Sequence, residues 1–236
     1  VTDRTNTFGK TFLALTFECA KCHDHKYDPI LQKDYYSAFA FFNQVPEKGL
    51  LGDIMLASLA DPPKMKITTE DVEEILSFIN KKDSAAVEVM IMEDAPKTRP
   101  TYLLKRGAYD APADRVYVGM PKAIMPFDSV KYGNDRLGLA KWLTDKKNPL
   151  TSRVFVNRMW QEFFGRGLVK TSGDFGMQGE MPSHPELLDW LATDFVEHGW
   201  NIKRLIKQLV MTSTYRQSTV VTKEKLAADP ENILLA

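Results

Sequence analysis

The sequence predicts a mainly α-helical fold with a small β element near the middle of the chain. Apolar residues recur at helical spacing up to about residue 43 and again from residue 135 onward. Between these stretches lie two short β-rich runs, 87–93 and 101–106, which we expect to pair with each other. The chain has 236 residues, of which 44% are hydrophobic, so it can bury a core in one or two domains.

This pattern divides the sequence into a first segment over 1–66, a small α+β connecting region over 67–134 and a helical C-terminal domain over 135–236. The first segment ends in an irregular stretch that is rich in proline and glycine, as linkers are. A helix is predicted over 68–81, with Thr68 as its N-cap. Because the chain stops within an apolar pattern, we expect it to be a fragment of a longer protein.

Two helices are predicted in the first segment. Phe8, Phe12 and Leu15 fall on one face of a helix over 8–17, and this apolar stripe predicts a buried side. A second helix is predicted over 32–43, and it contains five aromatic residues. That number exceeds what a short helix needs for ordinary packing, although an aromatic core helix is an equally good interpretation.

The C-terminal region is predicted to be mainly helical, with a glycine-rich loop over 171–180 and local signals at several helix ends. Gly165 is a natural residue to end a helix, and Asn201 is a natural N-cap. Ser183 and Glu186 have the spacing of a capping box. The four predicted helices cover 135–145, 152–164, the stretch from Glu186 to Gly199, and 202–212.

The chemistry of the chain is concentrated in residues 19–23, Cys-Ala-Lys-Cys-His. Two thiols three positions apart followed at once by an imidazole are the attachment signature of a c-type haem. The spacing lets Cys19 and Cys22 bond to the two vinyl groups of one porphyrin, while His23 supplies an axial nitrogen to the iron. The chain has two cysteines, so this motif takes them all.

Two other interpretations of these thiols remain open. A zinc site could use Cys19, Cys22 and His25, but it would need a fourth ligand, and the sequence has no second cysteine or histidine pair to supply one. A redox-active thiol pair would be expected within a βαβ pattern, whereas the preceding stretch is predicted to be helical. Covalent haem c is therefore the favoured prediction.

Aromatic residues near the motif are predicted to contact the haem. We assign this role to Tyr27 in the loop after the motif and to Tyr35 and Phe39 on the following helix. Such side chains could wall a porphyrin edge and keep water away from the iron.

The second axial position has several candidates. His184 lies beside a glycine-rich loop and is a candidate distal ligand, although it could equally bond backbone near a helix start. His25 is too close to His23 to reach the opposite face of the same ring, so it is a candidate ligand to a neighbouring haem or a propionate contact. Met177 and Met181 leave thioether ligation open, and a ligand from outside the fragment is another alternative.

Charge and hydropathy exclude several classes of function. The formal net charge is zero, which gives no support for nucleic-acid binding. No run of about 18 apolar residues predicts a membrane span, and residues 1–6 lack the apolar core of a signal peptide. Among the polar residues of the C-terminal region, we expect Arg158 and Asp174 to form a buried ion pair rather than part of a small-molecule pocket.

The longer motifs resemble multidomain cytochrome proteins of planctomycetes. Residues 12–30 and 34–36 resemble the end of the second planctomycete cytochrome domain of these proteins. The C-terminal partner domain of these proteins has similar motifs, which correspond in this chain to residues 148–158, 160–161, 164–169, 174–176, 178–180, 183–191 and 211–218. The resemblance covers nearly the whole chain and is weakest over 45–65. It departs from the family at Glu162 and Phe163, where the family often has two histidines.

The resemblance implies covalent haem c and a periplasmic or extracellular location, and it implies no settled reaction. Together with the motif, it favours extracytoplasmic electron transfer, with other cytochrome modules, redox proteins or the rest of the same polypeptide as partners. Two alternatives stay open: a haem enzyme of peroxidase or oxidase type with an open distal site, and a structural component of an extracellular assembly that haem holds together.

Overall fold

The fold is mainly α-helical with a small β content, as predicted. The computed structural model describes residues 1–46, 64–67, 87–218 and 220–234. The α-helices are α1 (Thr2–Phe8), α2 (Gln32–Phe42), α3 (Ser129–Tyr132), α4 (Arg136–Leu143), α5 (Thr151–Phe164), α6 (Pro185–Glu197), α7 (Ile202–Val210) and α8 (Lys223–Ala228). The strands are β1 (Lys64–Ile67), β2 (Val87–Met90), β3 (Thr101–Leu104) and β4 (Pro112–Val116). The helix predicted over 68–81 lies outside the described residues.

The first predicted helix is interrupted before it reaches the cysteines. Helix α1 continues into a π-helical turn, Gly9–Leu13, which ends at Ala14 in a left-handed conformation with φ 48°. A separate 3-10 helix, Phe17–Lys21, then carries the first cysteine. The second predicted helix is confirmed as α2, whose Tyr35, Tyr36 and Phe41 are almost fully buried.

The strands are paired differently from the prediction. The runs at 87–93 and 101–106 do not pair with each other: β2 pairs antiparallel with β1, and β3 pairs antiparallel with β4. In the first sheet Lys64 lies opposite Met90, and in the second Thr101 lies opposite Val116. The prediction was wrong because β1 and β4 carry weak sequence signals, and β4 begins with a proline that normally disfavours a strand.

Local capping explains the ends of the C-terminal helices. Asp135 accepts a hydrogen bond from the Gly138 amide at the start of α4, and Asn201 accepts one from Arg204 at the start of α7. Gly165 ends α5 with φ 77°, as predicted. The predicted capping box is wrong, because Ser183 donates its hydroxyl hydrogen to the Leu168 carbonyl and no side chain caps α6.

Two hydrophobic clusters support these elements. The first is built around Phe17, Tyr35, Phe41 and Trp142, so it joins the cysteine-bearing segment to α4. The second is built around Trp160 and other residues of α5, α6 and α7, including Leu191, Phe195 and Leu209. Burial of these apolar side chains is the main source of stability for the segment that holds the motif.

The chain separates into two compact units. One unit contains residues 1–42 and 100–236, and the other contains residues 43–99 with strands β1 and β2. The helical segment with the cysteines and the helical C-terminal region therefore lie in one unit, although 57 or more residues separate them in sequence. The predicted division at residues 66 and 134 stays a prediction.

Candidate haem-attachment site

The Cys-Ala-Lys-Cys-His motif forms a turn on the protein surface. Cys19 lies in the 3-10 helix and Cys22 follows directly after it, with both thiols free and exposed. In a 3-10 helix, side chains three positions apart project to the same side. Ala20 between them is fully buried, so the turn is fixed by its inner face while both cysteines and His23 face outward.

Hydrogen bonds from α2 hold this turn in place. The Gln32 side-chain amide donates one hydrogen bond to the Lys21 carbonyl at 2.9 Å and another to the Leu104 carbonyl at 2.8 Å. The Tyr36 hydroxyl also donates to the Lys21 carbonyl, at 3.1 Å. Burial raises the pKa of Tyr36 to about 12, so this phenol keeps its proton through the physiological range. The turn is thus anchored at the residue immediately before Cys22.

The turn Lys105–Gly107 closes against Cys22. Gly107 has φ +70°, and a Cβ atom at this position would lie 2.8 Å from the Cys22 sulfur. A glycine is therefore required here for both backbone conformation and space. The sequence alone did not connect Gly107 with the motif, because 85 residues separate it from Cys22.

The hydrogen bonding of His23 defines its tautomer. Its Nδ1 lies 2.7 Å from the Asp24 carbonyl oxygen, and a carbonyl oxygen can only accept a hydrogen bond. Nδ1 therefore carries a proton, and in the neutral imidazole Nε2 then presents its lone pair on an exposed side chain. A metal-ligating histidine usually donates its other ring N–H to a carbonyl or carboxylate in this way.

His25 has the opposite tautomer and is buried. Its Nδ1 accepts hydrogen bonds from the backbone amides of Tyr27 at 3.2 Å and Asp28 at 2.8 Å, so Nδ1 carries no proton. Its Nε2 lies 2.9 Å from the Thr16 hydroxyl and supplies the hydrogen of that bond. Both ring nitrogens are occupied and only 3% of the side chain is exposed. Geometry therefore disfavours His25 as a ligand to zinc or to a neighbouring haem and gives it a structural role.

The loop after the motif docks on the C-terminal region. The buried Asp28 carboxylate accepts a hydrogen bond from the Met177 amide at 2.7 Å, and the Phe175 amide donates to the Ala14 carbonyl at 2.7 Å. A Cβ atom on Gly176 would lie 2.4 Å from an Asp28 carboxylate oxygen. The glycine-rich loop over 171–180 thus serves as a docking surface for the segment that contains the motif.

The three aromatic residues predicted to contact haem lie in different environments. Tyr27 is 49% exposed, with the Lys26 ammonium 5.1 Å from its ring centre. Tyr35 is fully buried, and its hydroxyl donates to the Asn6 side chain at 3.1 Å. Phe39 packs against the first hydrophobic cluster, with its ring 5.9 Å from that of Tyr36. Tyr35 is therefore a core residue, and of the three only Tyr27 presents a largely exposed ring.

The candidate distal ligands lie in the C-terminal region. His184 is half-buried at the start of α6, with Nδ1 3.0 Å from the Ser183 hydroxyl. Met177 and Met181 are largely exposed. No described contact joins any of these three side chains to His23, and the second axial ligand stays a prediction.

The predicted ion pair between Arg158 and Asp174 is wrong. The Arg158 guanidinium donates to the carbonyl of Thr11 at 2.5 Å and to that of Lys10 at 2.7 Å, which ties α5 to the π-helical turn. Asp174 instead accepts a hydrogen bond from the Gly176 amide at 2.8 Å. The prediction failed because Arg158 bonds to backbone carbonyls at the end of the π-helical turn, which have no partner within that turn. The spacing of residues along the sequence gives no indication of these contacts.

The donor set at the surface turn fits haem c better than zinc. The two exposed free thiols and the available Nε2 of His23 match what covalent haem requires, whereas His25 offers zinc no free nitrogen. In the part of the chain that the structure describes, no three His, Cys, Asp or Glu side chains form a group that could hold a metal ion. In the same residues, no helix has the length and apolar character needed to cross a membrane.

Comparison with known families gives two matches, one at each end of the chain. Residues 135–236 match the family model PSD1, described as a protein of unknown function (DUF1553). Residues 1–47 match the model PSCyt2, also described as a protein of unknown function (DUF1549). Both are domain families associated with planctomycete cytochromes, which agrees with the resemblance of the sequence motifs. No curated protein and no solved structure matches the chain.

Proposed function

We propose that this chain is part of a c-type cytochrome that carries one covalently attached haem and transfers electrons outside the cytoplasm. Cys19 and Cys22 would form the thioether bonds, and His23 would occupy one axial position of the iron. When bound, the haem would supply a centre that accepts and releases single electrons. Other cytochrome modules, redox proteins or further parts of the same polypeptide are the proposed partners.

The observation that best supports this proposal is the hydrogen bonding of the exposed His23 ring. Its Nδ1 donates to the Asp24 carbonyl, which in the neutral imidazole leaves Nε2 without a proton, on an exposed side chain directly after Cys22 in sequence. That tautomer is the one an iron ligand needs. It arises here from the local backbone, so ligation would need no change of tautomer.

The protein contributes positioning around the attachment turn. Gln32 and Tyr36 fix the Lys21 carbonyl from the inner side, and Gly107 allows the neighbouring turn to approach Cys22. These contacts would restrict how far the thiols can move once they are bonded. The potential of the haem would then depend on its second axial ligand and on its burial in the full-length protein.

The test is to export the chain to the periplasm of a bacterial host that attaches haem to cytochromes, and to purify it for spectroscopy. We expect about one haem per chain, retained after denaturation and resolved as haem c by the pyridine haemochrome spectrum. A sharp α-band in the reduced protein, with slow cyanide binding in the oxidised protein, is expected for electron transfer. A matched variant, Cys19→Ser with Cys22→Ser, should carry no covalent haem.

Other results would contradict the proposal. A chain that takes up zinc and no haem under these conditions would exclude a cytochrome function. High-spin iron that binds cyanide or peroxide rapidly would instead favour the haem-enzyme alternative. Haem that is attached but cannot be reduced by dithionite would favour the structural alternative.

A further inference from the structure

A cavity of about 550 Å³ lies between the π-helical turn Gly9–Leu13 and the helices of the C-terminal region. Its volume is within the range of small-molecule binding sites. Its walls are mainly apolar and aromatic. The Phe155 and Phe195 rings stack 5.1 Å apart and nearly parallel, and Phe195 meets Trp200 edge to face at 5.3 Å. The apolar lining includes Phe12, Leu143, Phe155, Phe195, Trp200 and Ile202.

The cavity opens to solvent on at least one side. Phe12 is 44% exposed and Ile202 is 47% exposed, although both are large apolar side chains that line it. Ala140 also lines the cavity and is exposed on α4. An apolar molecule could therefore enter without unfolding of the surrounding helices, and its binding would cover these exposed surfaces.

Arg158 brings a positive charge that no carboxylate neutralises. Two of its five N–H donors bond to the carbonyls of Thr11 and Lys10, and among the described residues no acidic side chain pairs with it. Burial lowers the pKa of its guanidinium, with no acidic neighbour to oppose this effect. The remaining donors and the uncompensated charge favour an anionic group on a ligand.

An aromatic side chain lies beside this cation on the same helix. Phe155 is three residues before Arg158 on α5, so the two side chains share one face, and both line the cavity. The cavity therefore offers a cation next to an apolar, aromatic wall.

We propose that this cavity binds an apolar carboxylate, with the carboxylate at Arg158 and the apolar chain against Phe155 and Phe195. The proposal does not depend on haem attachment, because none of Cys19, Cys22 and His23 lines the cavity. The ligand class follows from the uncompensated charge of Arg158 and from the apolar lining.

The test is calorimetric titration of the 236-residue chain with decanoate and with decanol. We expect saturable binding of one decanoate molecule per chain. Decanol should bind about tenfold more weakly than decanoate, and Arg158→Gln should remove that preference for the anion.

A blocking variant keeps the proposal testable if Arg158→Gln fails to fold. Ala140→Trp places a large ring at the cavity mouth and should weaken decanoate binding at least about tenfold. Ala227→Trp, on exposed α8, is the matched control and should leave binding unchanged. Absence of saturable binding to the folded chain, or binding that Ala140→Trp does not weaken, would overturn the proposal.

Discussion

His23 and His25 are two residues apart, yet the structure uses them in opposite ways. His23 is exposed, with Nδ1 donating to a backbone carbonyl and Nε2 available. His25 is buried, with Nδ1 accepting two backbone amides and Nε2 donating to Thr16. The same side chain is thus exposed at one position and supports the structure at the other.

Backbone geometry, rather than residue type, therefore determines the role of each histidine. Around His23 the nearest backbone group is an acceptor, so the ring keeps its proton on Nδ1. Around His25 two amide donors converge, so Nδ1 must be unprotonated. The first position suits chemistry with an external group, and the second holds the loop that docks through Asp28 on Met177.

His23→Ala should abolish axial ligation of the haem. If His23 supplies the axial nitrogen, the variant should lose the low-spin spectrum of the exported protein entirely. The free energy of unfolding of the haem-free chain should change by less than about 0.5 kcal/mol, because the side chain is exposed. Visible spectra and urea unfolding measure the two effects. An unchanged low-spin spectrum would remove His23 from the site.

His25→Ala should give the reverse pattern. The substitution leaves the amides of Tyr27 and Asp28 and the Thr16 hydroxyl without their partner, and it opens a small cavity. We expect a loss of about 3 kcal/mol in the free energy of unfolding, measured by urea denaturation of the haem-free chain. His25→Gln keeps both an acceptor and donors and should lose less. A loss below about 0.5 kcal/mol for His25→Ala would contradict the structural role.

Gly176→Ala tests the docking that His25 and Asp28 support. Its new Cβ atom would meet the Asp28 carboxylate at 2.4 Å, so one of the two segments must move. We expect destabilisation of about 1–3 kcal/mol in urea unfolding. Gly173→Ala in the same loop is the matched control, since its nearest neighbour would be the end of the Lys10 side chain at 3.5 Å. Equal effects of the two substitutions would show that the close approach does not matter.

Much of the fold could be predicted from the sequence because its signals are local. Helix α2, the Asn201 cap and the Gly165 helix end depend on residues within a few positions of one another. The partner of each strand could not be predicted, since β1 and β4 carry little pattern of their own. Pairing across the chain depends on tertiary contacts that periodicity does not encode.

At the candidate site, too, the sequence predicts features that depend on neighbouring residues but not contacts between residues far apart along the chain. The identities of Cys19, Cys22 and His23 follow from their spacing, whereas the contacts that position them come from Gln32, Tyr36 and Gly107. Arg158 shows where prediction from the sequence fails, because its carbonyl partners are 147 and 148 residues away along the chain. A charged residue in a helical pattern gives no indication of such a partner.

Tyr36→Phe should produce a more modest change, and it tests the burial of this phenol beneath the cysteine turn. Burial raises the pKa of Tyr36 from its ordinary value of 10.0 to about 12. Unfolded chains therefore ionise this phenol from about pH 10 and folded chains only near pH 12, so its contribution to stability is complete below pH 10 and is lost as the pH rises to 12. In urea unfolding between pH 9 and 11.5, we expect the wild type to lose on the order of 1 kcal/mol more than Tyr36→Phe. Tyr35 has a similarly raised pKa and remains in both proteins, so the difference isolates Tyr36. Identical pH dependence in the two chains would mean that Tyr36 titrates normally, which would contradict its burial beneath the cysteine turn.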